Sequence, residues 1–389
     1  MKELYTHTDG LDSAVIYQIE SPNQVKDIWL ALEEVGDAGF FHSWCWMSTW
    51  LEMVLGKTPV YFFVCRTGAT PYSCCLLTLC PTRRKKNLVR TLQLQINEYL
   101  APGYDMIKAY NGLLTRKGQE EQAWRMFFRA VDGFSHHWDE ILLSSLMPAD
   151  YQLITNIRHG FRLDVEKTTC CWVKELAPES STAVGLLQSC KKKTRKQLKQ
   201  SITAFTEVCA PELTAATNTQ MALDYFRQME QIHTERWRAV GEKGSFANPH
   251  WAIFHTRMIK NYFDSGIILM FMISCGETIL GYLYGHYYRR RVYMHQTGFA
   301  LMDDNRFRPG YVSHFEAMRH CAAMGAITYD LLPDAADSYK KFFAQPEPVL
   351  QRVLLKRRRL VFVLEKILDR VKSFKTKNKA LQHDNGEDA

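Results

Sequence analysis

The chain contains 389 residues, of which 46% are hydrophobic and 23% are charged, a composition typical of a folded protein with a sizeable core. It excludes a disordered or fibrous protein, because enough apolar surface is available to offset the entropy of ordering the chain. The formal net charge of +8 is concentrated in two local stretches, which excludes the pervasive positive field of a protein that coats nucleic acid.

The sequence pattern favours a cytoplasmic protein. It contains no run of about 18 uncharged apolar residues that could cross a bilayer as a helix. Met1–His7 lacks the apolar region of a secretory signal. The eleven cysteines are too sparse for a disulfide scaffold, so we expect them to be reduced thiols. We also expect no metal site, since Cys74-Cys75 and Cys170-Cys171 lack Cys-x-x-Cys spacing.

The first half alternates strand and helix signals, which favours an α/β or α+β layer architecture. Helices are predicted at 24–35 and 120–131, and strands at 60–66, 73–80, 92–96 and 140–144. We interpret the aromatic-rich segment Phe40–Leu55 as core of this half. A polar stretch containing a proline at 177–182 predicts a break between two halves.

The second half has stronger signals. Helices are predicted at 184–205, 221–237 and 249–263, followed by three strands at 267–274, 278–288 and 292–299 that form an antiparallel meander. Pro309-Gly310 begins a helix that runs to about Met324, and Gly325 ends it. A buried strand is predicted at 326–331 and a final strand at 349–356.

Three motifs lie on these elements. The first is Ile232-His233-Thr234-Glu235-Arg236-Trp237, followed by Gly241, Gly244-Ser245-Phe246 and His255. The second is Tyr293-Met294-His295-Gln296-Thr297-Gly298-Phe299, followed by Arg308-Pro309-Gly310. The third is Tyr329-Asp330-Leu331-Leu332, followed by Tyr339-Lys340-Lys341-Phe342. In order and spacing they resemble the acetyltransferase-type domain of CelD-like and BioF2-like proteins, a branch of the GNAT superfamily that also resembles the Fem-type peptidyltransferases. That family typically has Ser-Pro-Gly where this chain has Arg308-Pro309-Gly310.

The resemblance covers about residues 185–345 and implies two tandem GNAT-like domains, each a mixed, mostly antiparallel sheet flanked by helices. The implied organisation is a degenerate N-terminal copy at 1–176, an acyltransferase domain at 183–348, and a last strand, a basic helix and an acidic tail at 349–389. The implied reaction moves an acyl group, in the simplest case acetyl, from acyl-CoA to an amine or hydroxyl. Polysaccharide or cell-envelope precursors are the implied acceptors.

The turn that enters the helix at Pro309 is the predicted site for the donor. Free amides and the positive end of a helix dipole attract an anion such as the pyrophosphate of acyl-CoA. Glycine at 310 permits close approach of the backbone, and Arg306 and Arg308 can add phosphate contacts. The predicted donor-binding residues are Arg306, Arg308, Pro309, Gly310 and Tyr311. An ordinary helix N-terminus is the alternative interpretation.

Acyl transfer needs a base for the acceptor proton and a donor for the developing oxyanion. His295, in a strand, and Asp330, at the end of a buried strand, are the candidate bases, and Lys340 is the candidate anion contact. The alternatives are a core histidine, a structural salt bridge and a solvated lysine. The predicted acceptor-binding residues are His233, Arg236, Trp237, Gln296 and Tyr339, of which His233 and Trp237 share a helix face.

Two basic stretches remain. Lys191–Lys199 carries six basic residues in nine and could meet the phosphate of a CoA, a nucleotide-linked sugar or an RNA, or form only a solvated helix face. In the stretch 352–378, Leu360, Leu364, Ile367, Val371 and Phe374 recur at helical spacing among basic residues. This second pattern favours a basic amphipathic helix that binds an anionic membrane surface, a partner or the protein itself.

Two other functions stay open at this point. One is Fem-like transfer of an aminoacyl group from charged tRNA, for which the basic stretch at 191–199 is the relevant feature. The other is an inactive GNAT-like scaffold at a membrane surface, which the departure at Arg308 favours.

Overall fold

The computed structural model describes residues 1–84, 87–96, 109–336, 338–360 and 362. The helices are α1 (Lys26–Val35), α2 (Trp44–Val54), α3 (Glu120–Gly133), α4 (Pro148–Asn156), α5 (Ala183–Gln188), α6 (Lys192–Val208), α7 (Thr219–Ala239), α8 (Pro249–Tyr262) and α9 (Pro309–Ala323). The strands are β1 (Lys2–Asp9), β2 (Asp12–Ile19), β3 (Val60–Thr67), β4 (Thr70–Arg84), β5 (Asn87–Leu94), β6 (Leu114–Thr115), β7 (Glu140–Leu146), β8 (Arg162–Glu175), β9 (Pro211–Ala215), β10 (Ile268–Cys275), β11 (Thr278–Tyr288), β12 (Arg291–Phe299), β13 (Thr328–Asp330) and β14 (Gln345–Lys356).

The same order of elements occurs twice along the chain. In the first unit, the antiparallel strands β3, β4 and β5 are followed by α3 and then by β7, which runs parallel to β5. In the second unit, the antiparallel strands β10, β11 and β12 are followed by α9 and then by β13, which runs parallel to β12. Two helices precede each meander, α1 and α2 in the first unit and α7 and α8 in the second. The predicted fold class, two tandem units with mixed and mostly antiparallel sheets flanked by helices, is confirmed.

The two units share one continuous sheet because they exchange their last strands. Strands of the described residues follow the order β1-β2-β3-β4-β5-β7-β14-β8-β13-β12-β11-β10-β9, with β6 paired to β4. Strand β8 of the first unit pairs with β13 of the second, and β14 of the second unit pairs with β7 of the first. The strand predicted at 349–356 therefore begins earlier, at Gln345, and the predicted boundary at 348 falls inside it.

Aromatic residues fill the space between the units. Helix α2 lies in the predicted aromatic segment, and its Trp46 ring packs edge-on against Phe254 of α8 with ring centroids 4.7 Å apart. The hydroxyls of Ser48 and Tyr262 are hydrogen-bonded at 2.7 Å. Both helices belong to one buried cluster that draws on both units. The interpretation of the segment as core is confirmed, and this core belongs to both halves.

Several local features differ from the sequence predictions. The helix predicted at 184–205 is two helices, α5 and α6. Residues 352–356, predicted to begin the basic segment that binds a membrane, lie in strand β14. Most of that segment falls in 363–389, outside the described residues. No helix in the part of the chain that the structure describes is long and apolar enough to cross a membrane.

One cysteine pair departs from the expectation of reduced thiols. Cys209 and Cys275 form a disulfide although they are 66 residues apart. The reason is the sheet register: β9 pairs antiparallel with β10, so Pro211 lies opposite Cys275 and brings Cys209 beside it. For this pair the prediction is wrong, since sequence spacing does not show which residues adjacent strands bring together.

Candidate active site

A cavity of about 720 Å³ opens in the second unit where β12 and β13 separate. Only Arg291–Tyr293 of β12 pair with β13, which ends at Asp330, while β12 continues to Phe299. The rest of β12 is therefore free of a strand neighbour on that side, and α7, α9 and the turn at 339–340 enclose the space. Eleven of the thirteen predicted site residues line it: His233, Arg236, Trp237, His295, Gln296, Arg308, Pro309, Gly310, Tyr311, Tyr339 and Lys340.

The first turn of α9 faces this cavity without a side-chain cap. Arg308 is the N-cap residue, Pro309 follows it, and no acidic residue lies in the first turn. A Cβ on Gly310 would come within 3.0 Å of the Phe299 ring, so glycine keeps the turn close to β12. The corresponding helix of the first unit, α3, carries Glu120 and Glu121 in its first turn. Of these two corresponding helices, only α9 begins without an acidic residue and so favours an anion at its N-terminus.

The two arginines of this turn lie differently. The Arg308 guanidinium stacks over the Tyr311 ring at 5.5 Å from its centroid, and the Arg308 backbone N–H donates to Ser201 Oγ at 3.0 Å. Arg306 is exposed and forms an ion pair with Asp304 at 2.8 Å. Arg306 does not line the cavity but a neighbouring groove that Arg308 also lines.

Three imidazoles line the cavity, and each has at least one buried ring nitrogen without a hydrogen-bond partner in the described chain. In His295 both nitrogens lack a partner. Burial and the nearby Lys340 charge lower the pKa of His295 to about 3, and the same two causes lower the pKa of His314 to about 3. Burial, aided by Arg236, lowers the pKa of His233 to about 4. All three rings are neutral near pH 7 and can accept or donate one proton.

His314 was not predicted from the sequence. It lies on α9 one helical turn after Gly310, and its Nδ1 is 2.9 Å from the Tyr329 hydroxyl, which fixes the ring; its buried Nε2 has no hydrogen-bond partner among the described residues. The spacing of four residues from Gly310 places the two on one helix face. That spacing was the available signal, but a histidine inside an apolar helix stretch is more often core.

Lys340 reaches the cavity wall from the turn after β13. Its Nζ lies 3.2 Å from Asp334 Oδ2 and donates to the Leu332 carbonyl at 3.3 Å. Burial lowers the pKa of Lys340, and Asp334 partly offsets this. The ammonium group is thus held in place by a carboxylate that is itself at the cavity wall.

Asp330 does not line the cavity, unlike most of the other predicted site residues, although the Lys340 charge is near enough to favour its ionised form. Its Oδ2 accepts from the Tyr110 hydroxyl at 2.6 Å, and its Oδ1 accepts from the Leu332 N–H at 2.7 Å. Burial raises the pKa of Asp330 to about 6 although these hydrogen bonds oppose the shift. The contact with Tyr110 joins the two units, which points to a structural carboxyl. The sequence did not indicate this role, because the partner of Asp330 comes from the first half of the chain, in which no motif was found.

Replacing Tyr110 with phenylalanine should lower the free energy of unfolding by about 1–3 kcal/mol, because it leaves a buried carboxylate oxygen without its donor. Urea unfolding checks this value. Tyr17→Phe is the matched control, since the Tyr17 hydroxyl has no hydrogen-bond partner among the described residues. Equal stability of the two variants would show that the hydrogen bond does not tie the units together.

The predicted acceptor side of the cavity is formed by α7 and β12. The rings of His233 and Trp237 lie 5.8 Å apart between centroids on one face of α7. Gly244 is required beside them, because a Cβ there would meet His233 Cε1 at 2.2 Å. The Gln296 side-chain oxygen accepts from the Thr297 N–H at 3.1 Å. The Trp237 side chain is 40% exposed, so this wall extends to the mouth of the cavity.

Comparison with known proteins gives a domain match and a whole-chain fold match. Residues 192–341 match the family model described as an acetyltransferase (GNAT) domain. No curated protein matches the sequence. FemX is 9% identical, with 90% of this chain and 99% of that chain covered and a TM-score of 0.56. A conserved protein of unknown function from Bacteroides thetaiotaomicron is 11% identical, with coverages of 88% and 99% and a TM-score of 0.54. L-PGS from Bacillus licheniformis is 11% identical, with coverages of 88% and 96% and a TM-score of 0.51. At these identities the structural likenesses show the fold alone.

Proposed function

We propose that this protein is an acyltransferase that moves an acetyl or other acyl group from acyl-CoA to an amine or hydroxyl, because residues 192–341 match the model of an acetyltransferase (GNAT) domain. A saccharide or cell-envelope precursor is the proposed acceptor. The observation that carries the proposal is the first turn of α9, which lacks a side-chain cap and an acidic residue and faces a cavity lined by neutral imidazoles. Such a cavity can bind a phosphate-bearing donor, and its imidazoles can accept a proton during the reaction.

In the proposed reaction, the Gly310 N–H at the start of α9 and the Arg308 side chain hold the donor's pyrophosphate. The acceptor nitrogen or oxygen attacks the thioester carbonyl carbon, a C–N or C–O bond forms, and the C–S bond breaks. His295 takes the proton that the acceptor loses and returns it to the departing thiolate, so that charge and protons balance. When His314 carries its hydrogen on Nε2, that N–H is available to the developing oxyanion.

Binding of acetyl-CoA tests the donor site directly. Acetyl-CoA at 100 times its dissociation constant should stabilise the protein by about 2.7 kcal/mol through mass action and raise the melting temperature accordingly. Gly310→Val should abolish this shift, because a branched side chain at the turn would press on Phe299 and cover the amides. Ala323→Val, a change of the same kind at the exposed end of α9, is the control that should keep the shift. If millimolar acetyl-CoA leaves the melting temperature of the unaltered protein unchanged, the donor assignment is wrong.

Two observations support a second candidate, Fem-like transfer of an aminoacyl group from charged tRNA. The fold resembles FemX over nearly the whole of both chains, and α6 carries a run of basic residues at its start. Stabilisation by charged tRNA and not by acetyl-CoA would favour this candidate. A response to neither ligand would contradict both and favour a non-catalytic scaffold.

A further inference from the structure

The basic helix α6 is attached at the entrance to the candidate donor site. On its buried face, Ser201 Oγ accepts the Arg308 N–H at 3.0 Å, at the N-cap of α9. Four residues on, the Phe205 ring packs edge-on against Phe307 at 4.9 Å between centroids. Near the start of the helix, Thr194 Oγ1 donates to the Phe342 carbonyl at 2.7 Å, in the turn that carries Lys340. The position of this charged helix is therefore fixed relative to the α9 turn.

A second cavity, a groove of about 550 Å³, lies between α6 and the loop that precedes α9. Lys199, Arg306 and Arg308 line it, with Glu207 as the one acidic residue in the lining. Arg308 also lines the candidate active site, so the two cavities adjoin at this side chain. Of the basic residues in 191–199, Lys199 is the one that lines the groove.

The positively charged side chains of this groove are available to bind an anionic ligand. Lys199 is exposed and forms no ion pair within the described residues. The ion pair of Arg306 with Asp304 joins two largely exposed side chains, and such pairs contribute little in water. Arg308 uses its Nε for the Asn305 carbonyl, and its guanidinium has no acidic partner among the described residues. Three cations that line one groove favour a phosphate group with two or three negatively charged oxygens.

The groove adjoins the α9 turn, since Arg308 lines both cavities. Lys199 precedes Ser201 by two residues, about 3 Å along the helix axis, and Ser201 contacts the N-cap of α9. If the donor's pyrophosphate lies at the α9 turn, the ribose attached to it lies near Lys199. A further phosphate on this ribose would therefore also lie near Lys199. We propose that this groove binds the 3′-phosphate of the donor's adenosine through Lys199, Arg306 and Arg308, an inference that rests on acyl-CoA as the donor. The α6 helix thereby makes the site selective for the 3′-phosphorylated nucleotide.

The test compares two donors on the full chain. Acetyl-CoA should bind the unaltered protein roughly tenfold more tightly than acetyl-dephospho-CoA, which lacks only the 3′-phosphate, because a charge-assisted contact contributes about one factor of ten or more. Lys199→Glu should weaken acetyl-CoA to the affinity of acetyl-dephospho-CoA and leave the latter little changed. Lys196→Glu makes the same charge change on an exposed side chain of α6 outside the groove, and it should keep the tenfold preference. Calorimetric titration at low salt measures all six affinities.

Each other outcome overturns the inference in a distinguishable way. Equal affinity of the unaltered protein for both donors would overturn it and leave the acyl-CoA function standing. Equal losses in the Lys199 and Lys196 variants would show a general charge effect instead of a phosphate site. Binding of neither donor would remove the proposed function together with the inference. If Lys199→Glu weakens binding of charged tRNA and not of acetyl-CoA, the occupant is RNA.

Discussion

Replacing His295 with asparagine should lower kcat/KM for acetyl transfer by roughly 10²- to 10⁴-fold, the range that general acid–base catalysis contributes. The reason is that His295 lines the cavity and neither of its buried ring nitrogens has a hydrogen-bond partner among the described residues, whereas His233 and His314 each have one such nitrogen. Acetyl-CoA should still raise the melting temperature of this variant, because the α9 turn and Arg308 are unchanged. Initial rates with a saturating amine or hydroxyl acceptor measure the loss.

His286→Asn is the matched control for the loss of a buried imidazole. The His286 ring lies 5.4 Å from that of His295 between centroids, but His286 does not line the cavity. We expect this variant to be less stable while its rate per folded molecule stays within a few-fold of the unaltered protein. Equal rate losses in both variants would mean that the effect comes from packing in the histidine cluster and not from proton transfer.

The pH profile gives a second check on His295 as the base. With its pKa near 3, the imidazole stays neutral and able to accept a proton throughout the range from pH 8 to pH 6. The profile of kcat/KM reports the pKa values of the free protein, so it should show no fall near 6.5, where an exposed histidine would become protonated. A fall centred near 6.5 would point to a base in contact with water.

The second unit could be predicted well from the sequence because its elements carry local patterns. The meander β10–β12 is a succession of apolar runs separated by short turns, and Pro309 and Gly325 mark the ends of α9. The motifs on these elements share the cavity because β12, α7 and α9 all border the place where β12 and β13 separate. Most of the candidate site was therefore accessible to local reasoning.

The remaining features depend on contacts between distant parts of the chain. Strand β8 is half-exposed along most of its length and has no alternating apolar pattern that would predict a strand. It is held in the sheet by pairing with β13 and β14, which both come from the other unit. Strand β1, at the edge of the sheet, is also mostly exposed. Asp330 was a reasonable candidate base by its position at a strand end, but Tyr110, which binds it, precedes it by 220 residues. No local pattern could indicate that partner.

The free energy of unfolding should fall by roughly 5 kcal/mol between pH 7.5 and pH 5.5. Five imidazoles have their pKa lowered below 6.5, in each case chiefly by burial: His233, His255, His286, His295 and His314. Below pH 6.5 the unfolded chain binds protons that the folded protein does not. Each group therefore contributes stability that is present above pH 6.5 and is lost as the pH falls, about 1.4 kcal/mol at pH 5.5.

Two buried carboxyls act in the opposite direction. Burial raises the pKa of Asp150 and of Asp330 to about 6, so on acidification the folded protein binds these protons before the unfolded chain does. Each restores about 0.8 kcal/mol between pH 7.5 and pH 5.5. Five losses of about 1.4 kcal/mol and two gains of about 0.8 kcal/mol leave the net fall of roughly 5 kcal/mol, a large part of the 5–15 kcal/mol that stabilises a typical protein.

Urea unfolding at pH 7.5, 6.5 and 5.5, followed by tryptophan fluorescence, measures the fall. His286→Asn should reduce it by about 1.4 kcal/mol, because one proton fewer is bound on unfolding. His250→Asn is the control, since His250 is only half-buried, at the start of α8. A free energy of unfolding that stays constant from pH 7.5 to pH 5.5 would mean that water reaches these rings. The cavity would then be too wet for a neutral imidazole to act as the base at the pH values where the fold survives.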